Sequence, residues 1–235
     1  MFNTVKVSTA STLSTLSSVK ALFLVLIGIP WMPCVSHAKA IEAPIENMAL
    51  AIAPSEATAV LAGGCFWGVQ AVFQHVKGVT KVVAGYAGGS LKNANYAAVS
   101  SGTTGHAEAV KITFDPSQIS YGQLLQVYFS VAHDPTELNR QGPDQGTQYR
   151  SSIFYVNAEQ QRVAQLYITQ LERQGAFHHP IVTSSVPLQD FYVAEAYHQN
   201  YFNEHPDSAY IIYNDAPKLV DLQQSYPELY QRSSL

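Results

Sequence analysis

Residues 61–70 read LAGGCFWGVQ, which sets a cysteine between two glycines and two large aromatic side chains. A thiol is the strongest nucleophile a side chain offers near neutral pH, and only its thiolate form attacks. The apolar run before it, 57–64, reads as a buried strand ended by Gly63 and Gly64. After it, Phe66, Val69, Val72, Phe73 and Val76 recur at helical spacing. Cys65 therefore falls at a strand-to-helix turn, where the positive end of the helix dipole is expected to lower its pKa. The two glycines let the backbone approach a ligand closely. Phe66 and Trp67 suit a small apolar group such as a methyl.

The setting of this thiol follows from the N-terminus. Residues 1–20 are rich in Ser and Thr and carry Lys6 and Lys20 with no acid; ALFLVLIGI (21–29) is strongly apolar; SHAKA (36–40) offers small-residue cleavage points after Ala38 or Ala40. That is the pattern of a secretory signal peptide over 1–40, and the apolar run is short for a membrane span. The expected location is periplasmic or secreted, with no stable membrane association once the signal is gone. Residues 41–57 read as a short Ala/Glu/Pro-rich leader, and 58–235 as one catalytic domain. The chain holds two cysteines, Cys34 and Cys65. Cleavage removes Cys34, so the mature protein keeps a lone thiol in an oxidising compartment, where an unpaired cysteine is a candidate for reactivity.

The elements that must position Cys65 can be read along the rest of the chain. Strands are predicted at 80–89, 106–115, 149–156 and 180–188, and helices at 120–132, with Ser120 as cap, and 157–174, with Asn157 as cap. The order β-α-β-β-α-β-α-β predicts an α+β fold, a mixed sheet with flanking helices and a split βαβ, ferredoxin-like core. Two long loops, 90–105 and 133–148, carry Tyr96 and Asp144 and are taken as site-forming. The stretch after 190 is aromatic but weakly patterned and reads as an irregular tail. A net charge of −4 with 13% charged residues gives no basic stripe, which argues against a nucleic-acid partner. His106, His133 and His198 match no metal-ligand spacing, so no metal is expected.

From the residues themselves, two readings stand open. Cys65 with a histidine such as His106 or His198 and Asp144 suits a cysteine hydrolase or acyltransferase. A secreted binding module in which Cys65 is structural is the other.

GCFWG (64–68), GYAGG (85–89), GHAEAV (105–110), HDP (133–135), DQGTQYRSSIF (144–154) and AEAYHQNY (194–201), in this order, resemble the peptide methionine sulfoxide reductases of type A. The resemblance spans about residues 58–220. It implies that Cys65 attacks the sulfoxide sulfur of methionine S-sulfoxide, free or in proteins, and is left as a sulfenic acid. It implies that Glu108 protonates the sulfoxide oxygen, that Tyr96 and Tyr149 hydrogen-bond it, and that Phe66 and Trp67 hold the substrate methyl. Asp144 and His198 match positions that recur around the family's site and, with Gly64, complete the expected substrate-binding set. No cofactor is implied beyond an external thiol reductant, a thioredoxin-like or a glutathione/glutaredoxin-like donor, and a monomer is the default.

The chain departs from the family where many members carry a resolving cysteine. In PDSAYIIY (206–213) the matching position is Ile211, and Ser100 holds a second such position. With neither a thiol, the Cys65 sulfenic acid must be reduced by an external thiol. Gln70 stands where a glutamate is common, a change expected to matter little.

Overall fold

The computed structural model describes residues 1–4 and 40–232. The chain divides into two units, Met1–Ser36 and His37–Leu235, and every element below belongs to the second. Of the expected signal peptide, residues 5–39 with Cys34 lie outside the described residues.

In chain order the elements are β1 (Ala57–Gly63), α1 (Phe66–Gln74), β2 (Val79–Ala87), α2 (Tyr96–Val99), β3 (Ala107–Phe114) and α3 (Tyr121–Val127). Then come the two-residue β4 (Arg140–Gln141) and β5 (Asp144–Gln145), β6 (Ser151–Tyr155), α4 (Ala158–Arg173), β7 (Ser184–Pro187), β8 (Phe191–Val193), α5 (Tyr201–Glu204) and α6 (Ala216–Ser225). Six strands form one sheet in the order β7-β6-β1-β3-β2-β8, antiparallel except for β6 with β7. β1 and β2 flank β3, and β3 and β6 flank β1, so α1 and α3 each cross over an intervening strand. This is the α+β split βαβ core expected from the element order.

The apolar run of β1 is buried on both faces of the sheet. Ala59 and Leu61 join the large core with Val69, Val72 and Phe73 of α1, Leu124 and Leu125 of α3, and Val163 and Tyr167 of α4. Val60 and Ala62 pack on the other face with Ala107, Ala109 and Phe154. The period of two along β3 then fixes Glu108. It shares a face with Val110 and Ile112, which belong to the large core. Glu108 is accordingly only 2% exposed. α3 starts with a full capping box between Ser120 and Gln123 and ends in one turn of π-helix, Tyr128–Ala132.

Three stretches differ from their expectation. The loop 90–105 contains α2, capped by the Asn95 side chain, and the loop 133–148 contains the β4–β5 pair. Tyr149, expected on a strand, closes a 3₁₀ turn, Thr147–Tyr149, because Gly146 at φ 133° breaks the extended path and β6 starts only at Ser151. The tail is ordered into β8, α5, a π-helical turn at Ile211–Asp215, and α6. These pieces are too short to show a period, and long-range hydrogen bonds hold them. Gln199 accepts from Ala84 N (2.9 Å) and donates to Ala84 O (3.0 Å), which ties the tail to β2.

The leader is docked as well. The backbone N–H of Ile41 donates to Tyr226 Oη at 2.9 Å, Ile41 O accepts from Gln126 Nε2, and Glu42 O accepts from Tyr167 Oη. Among the described residues no helix is long and apolar enough to cross a membrane.

Candidate active site

Cys65 is the N-cap of α1 and is 9% exposed, with a free thiol. Glu108 Oε2 accepts from the Phe66 backbone N–H at 3.1 Å, so the carboxyl of β3 sits on the first turn of the helix that Cys65 begins. Burial raises Glu108 to about 8, opposed by the Phe66 hydrogen bond and assisted by Asp144. The carboxyl therefore keeps its proton at neutral pH and can donate it.

The thiol behaves differently from the sequence expectation. Cys65 lies well above the usual thiol value. Burial is the main cause, and Glu108, Asp215 and Asp144 add to it, against one backbone hydrogen bond from Trp67. The helix terminus is present, but removal from water and three surrounding carboxyl groups outweigh it. The resting site holds a protonated thiol beside a protonated acid.

The two glycines also have neighbours within the protein that leave no room for a side chain. A Cβ on Gly63 would meet the His133 ring at 2.9 Å. One on Gly64, at φ +90°, would lie 2.6 Å from Gln141 Cβ. Gly64→Ala combines a strained backbone with a clash, so it is expected to cost ~1–3 kcal/mol. A urea midpoint unchanged from the parent protein would contradict this.

The other expected residues converge on the same place. Burial raises Tyr149, and Glu108, Asp144, Cys65 and Tyr96 add to it. Tyr96 is raised by burial, then by Glu108 and Cys65. Both phenols are therefore neutral donors near the thiol and the acid. Trp67 stacks on Tyr201 with ring centroids 3.7 Å apart and meets Tyr210 edge-on at 5.6 Å. Phe66 is buried, its ring 5.0 Å from that of His198. His198 Nδ1 accepts from Trp67 Nε1–H at 3.2 Å, and the His198 ring lies 4.4 Å from that of Tyr96. Burial lowers His198 and keeps it neutral, a spacer between two aromatics of the site. Asp144 accepts a hydrogen bond from the Tyr210 hydroxyl.

Among the described residues no histidine is hydrogen-bonded to Cys65. His106 Nε2 bonds Ser90 O at 2.9 Å, His133 bonds Tyr128 O and Ser151 Oγ, and His198 is held by Trp67. Among the described residues no group of three His, Cys, Asp or Glu side chains is arranged to hold a metal ion.

Several contributors escaped the sequence reading. Glu195 accepts from Tyr86 Oη (2.8 Å) and from the Tyr96 backbone N–H (2.9 Å), fixing the start of α2. Tyr210 and Asp215 come from the tail. Gln70, expected to be inconsequential, is 2% exposed, donates to Val82 O and Gln199 Oε1, and accepts from Asn200 N at 2.9 Å. A carboxylate there could not donate to Val82 O, so the amide is part of how the tail is held. Glu195 had a signal in the sequence, as the acid of AEAYHQNY, and Gln70 as the residue standing where a glutamate is common; Tyr210 and Asp215 lie in segments with no local pattern.

The family model of peptide methionine sulfoxide reductase matches residues 57–229. A peptide methionine sulfoxide reductase MsrA 2 of Mesorhizobium japonicum is 58% identical over 178 residues, 76% of this chain and 91% of that protein. Its counterpart MsrA of Deinococcus radiodurans is 52% identical, over 72% of this chain and 81% of that protein. Among solved structures, Mxr1 of Saccharomyces cerevisiae in reduced form superposes with a TM-score of 0.60 at 30% identity, covering 69% of this chain and 90% of that one. Methionine sulfoxide reductase A of Corynebacterium diphtheriae gives 0.56 at 31% identity, covering 72% and 87%.

Proposed function

The chain belongs to the peptide methionine sulfoxide reductase family, type A, and from that premise we propose that Cys65 and Glu108 carry out its thiol-dependent reduction of methionine sulfoxide. The observation that supports these roles is the buried, protonated Glu108 carboxyl seated on the helix turn that begins at Cys65. Among the described residues His106, His133 and His198 are each engaged elsewhere and none is hydrogen-bonded to Cys65, which leaves the hydrolase reading without support.

Cys65 sulfur attacks the sulfoxide sulfur while Glu108 gives its proton to the sulfoxide oxygen, and the thiol proton passes to the emptied carboxylate. Collapse breaks both the new Cys65–substrate sulfur bond and the substrate S–O bond, and places that oxygen, with its proton, on Cys65. Methionine leaves two electrons richer and Cys65 becomes a sulfenic acid. Tyr96 and Tyr149 hydroxyls donate to the oxygen as charge builds on it. An external thiol then attacks the sulfenic sulfur, releasing water, and a second thiol clears the mixed disulfide. The donor is a thioredoxin-like or glutathione/glutaredoxin-like thiol, and oxidised proteins or free methionine S-sulfoxide are the substrates. Phe66 and Trp67 take the methyl.

The protein acts after export to a periplasm or the exterior, as a monomer, with cleavage after Ala38 or Ala40. The docked leader supports this cleavage point. Ala40 is exposed, and from Ile41 the chain is hydrogen-bonded to Tyr226, Gln126 and Tyr167. Cys34 then leaves, and Ile211, buried at the head of the π-helical turn, is no thiol.

A stoichiometric turnover without reductant tests the whole reading. The exported protein is expected to release one methionine per chain and stop. Mass spectrometry should show a single added oxygen on Cys65, trappable by dimedone, and an N-terminus at Lys39 or Ile41. Loss of two hydrogens through an internal disulfide, or Cys34 present in exported protein, would overturn it.

A further inference from the structure

α6 begins with a buried ion pair that the reaction above does not use. Asp215, at the N-cap of α6, is 1% exposed. Its Oδ1 accepts from Lys218 Nζ at 3.1 Å, three residues on. Its Oδ2 is buried with no hydrogen-bond partner among the described residues. The pair faces the first turn of α1. A Cβ on Gly68 would lie 2.0 Å from Asp215 Oδ1 and 2.8 Å from Lys218 Nζ, so the missing side chain of Gly68 is the slot these two charges fill. Gly68 stands three residues beyond Cys65, and helix positions three apart are neighbours with Cβ atoms about 5–6 Å apart. A carboxylate and an ammonium thus sit one helical turn from the thiol.

We propose that Asp215 and Lys218 are positioning residues for Cys65: the Asp215 carboxylate holds the thiol in its protonated form in the resting site, and Lys218 limits that hold. The proposal rests on Cys65 being the reacting thiol, and not on the identity of the substrate. The groups that face Cys65 are Glu108 from β3, Asp144 from β5, Tyr96 from α2, Tyr149 from the turn before β6, and Tyr210 and Asp215 from the tail. His198 stands behind Phe66 and Trp67. Glu108 carries little charge at neutral pH because it keeps its proton to about 8. Asp144 is engaged by the Tyr210 hydroxyl. Asp215 therefore stands out as the buried carboxylate with an oxygen still unpartnered; burial pushes its own pKa up, and the Lys218 ammonium beside it opposes that rise. At such separations in a poorly screened interior, one charge moves the ionisation of a neighbour by about one pH unit or more.

The consequence suits an enzyme without a resolving cysteine. A thiolate is open to unselective oxidation, and a sulfenic acid with no neighbouring thiol proceeds to irreversible states. Holding the proton until a sulfoxide and Glu108 are together confines the reactive form to productive encounters.

The test is the pH profile of Cys65 alkylation by iodoacetamide, read on the Cys65 peptide by mass spectrometry. Asp215→Asn, which keeps the shape, should move the midpoint down by about one pH unit and speed alkylation at pH 7 about tenfold. Lys218→Met should move it up and slow alkylation, because the ammonium that offsets the Asp215 carboxylate is then gone. Lys218→Gln serves the same purpose if the Met variant loses its cooperative melt. Shifts of opposite sign in proteins that melt cooperatively support the pair; a merely structural role gives shifts of one sign or none. Two shifts in the same direction, or a change under about 0.3 pH unit for Asp215→Asn, would overturn it. No sulfoxide enters this measurement, so it can fail while Cys65 remains the nucleophile, and the activity of Cys65→Ser decides that separately.

Discussion

Cys65→Ser is expected to abolish reduction of methionine S-sulfoxide, to the detection limit of an assay supplied with dithiothreitol. Two effects combine. A serine hydroxyl ionises far less readily than a thiol, so the population able to attack is negligible near neutral pH. The second effect is electronic. The reaction deposits the sulfoxide oxygen on the nucleophile, and sulfur accepts it as a stable sulfenic acid. Serine oxygen would have to become a peroxide, a species the two-electron chemistry does not reach. The variant should still fold. The substitution places one small polar atom in a site 9% exposed, beside phenols and a carboxyl that can receive its hydrogen bond, and no disulfide is lost because Cys65 is free. Measurable turnover in a variant with a normal melt would remove Cys65 from the mechanism.

What the sequence disclosed about this site depends on how local each feature is. Cys65 was visible because its setting is continuous in the chain: an apolar strand, two glycines, then helical spacing from Phe66 to Val76. Glu108 was visible in part. Strand alternation places it on one face with Val110 and Ile112, but only the packed α1 shows that this face is the core. The ionisation of Cys65 was misjudged for the same reason. The helix terminus that lowers a thiol is local, whereas the carboxyl groups that raise it arrive from β3, β5 and the π-helical turn, positions 43, 79 and 150 residues downstream.

The fold followed the same rule. The five strands and three helices expected appeared near their places, and all of them except the largely exposed β7 bury a continuous apolar face. Tyr149 was displaced from a strand to a turn by the φ of one glycine. β8, α5 and the turn at Ile211–Asp215 hold three to five residues each, less than one repeat of any useful window. Their stability comes from pairs such as Gln199 with Ala84 and Glu195 with Tyr86, which join residues more than 100 apart. Gln70 is the sharpest instance. On the sequence it is a conservative exchange, but in the structure its amide donates where a carboxylate cannot.

Glu108→Gln should lower activity by roughly 10²–10⁴-fold, the range for a lost general acid. Glutamine fills the same space and its Oε1 can still accept from the Phe66 N–H, so the geometry at the start of α1 is kept while the transferable proton is removed. The pH dependence separates this from damage to the fold. In the parent protein Glu108 holds its proton to about 8, so single-turnover sulfoxide reduction should fall as pH rises through that value. The Gln variant should lack that limb. Stability moves with a sign that can be fixed in advance. The folded-state pKa lies above the ordinary carboxyl value of 4.5, so between about 4.5 and 8 the native state binds more protons than the unfolded chain. The contribution of Glu108 to stability is thus fully present below the lower value and is lost as pH rises through the window. Glutamine does not titrate, so the variant should gain stability relative to the parent between pH 5 and pH 8, measured as the difference in urea midpoints. An activity loss under about threefold would return Glu108 to an ordinary strand residue. A large loss accompanied by a falling relative stability at pH 8 would mean that the carboxyl is buried as a charged group, and the proton would then have to come from Tyr96 or Tyr149.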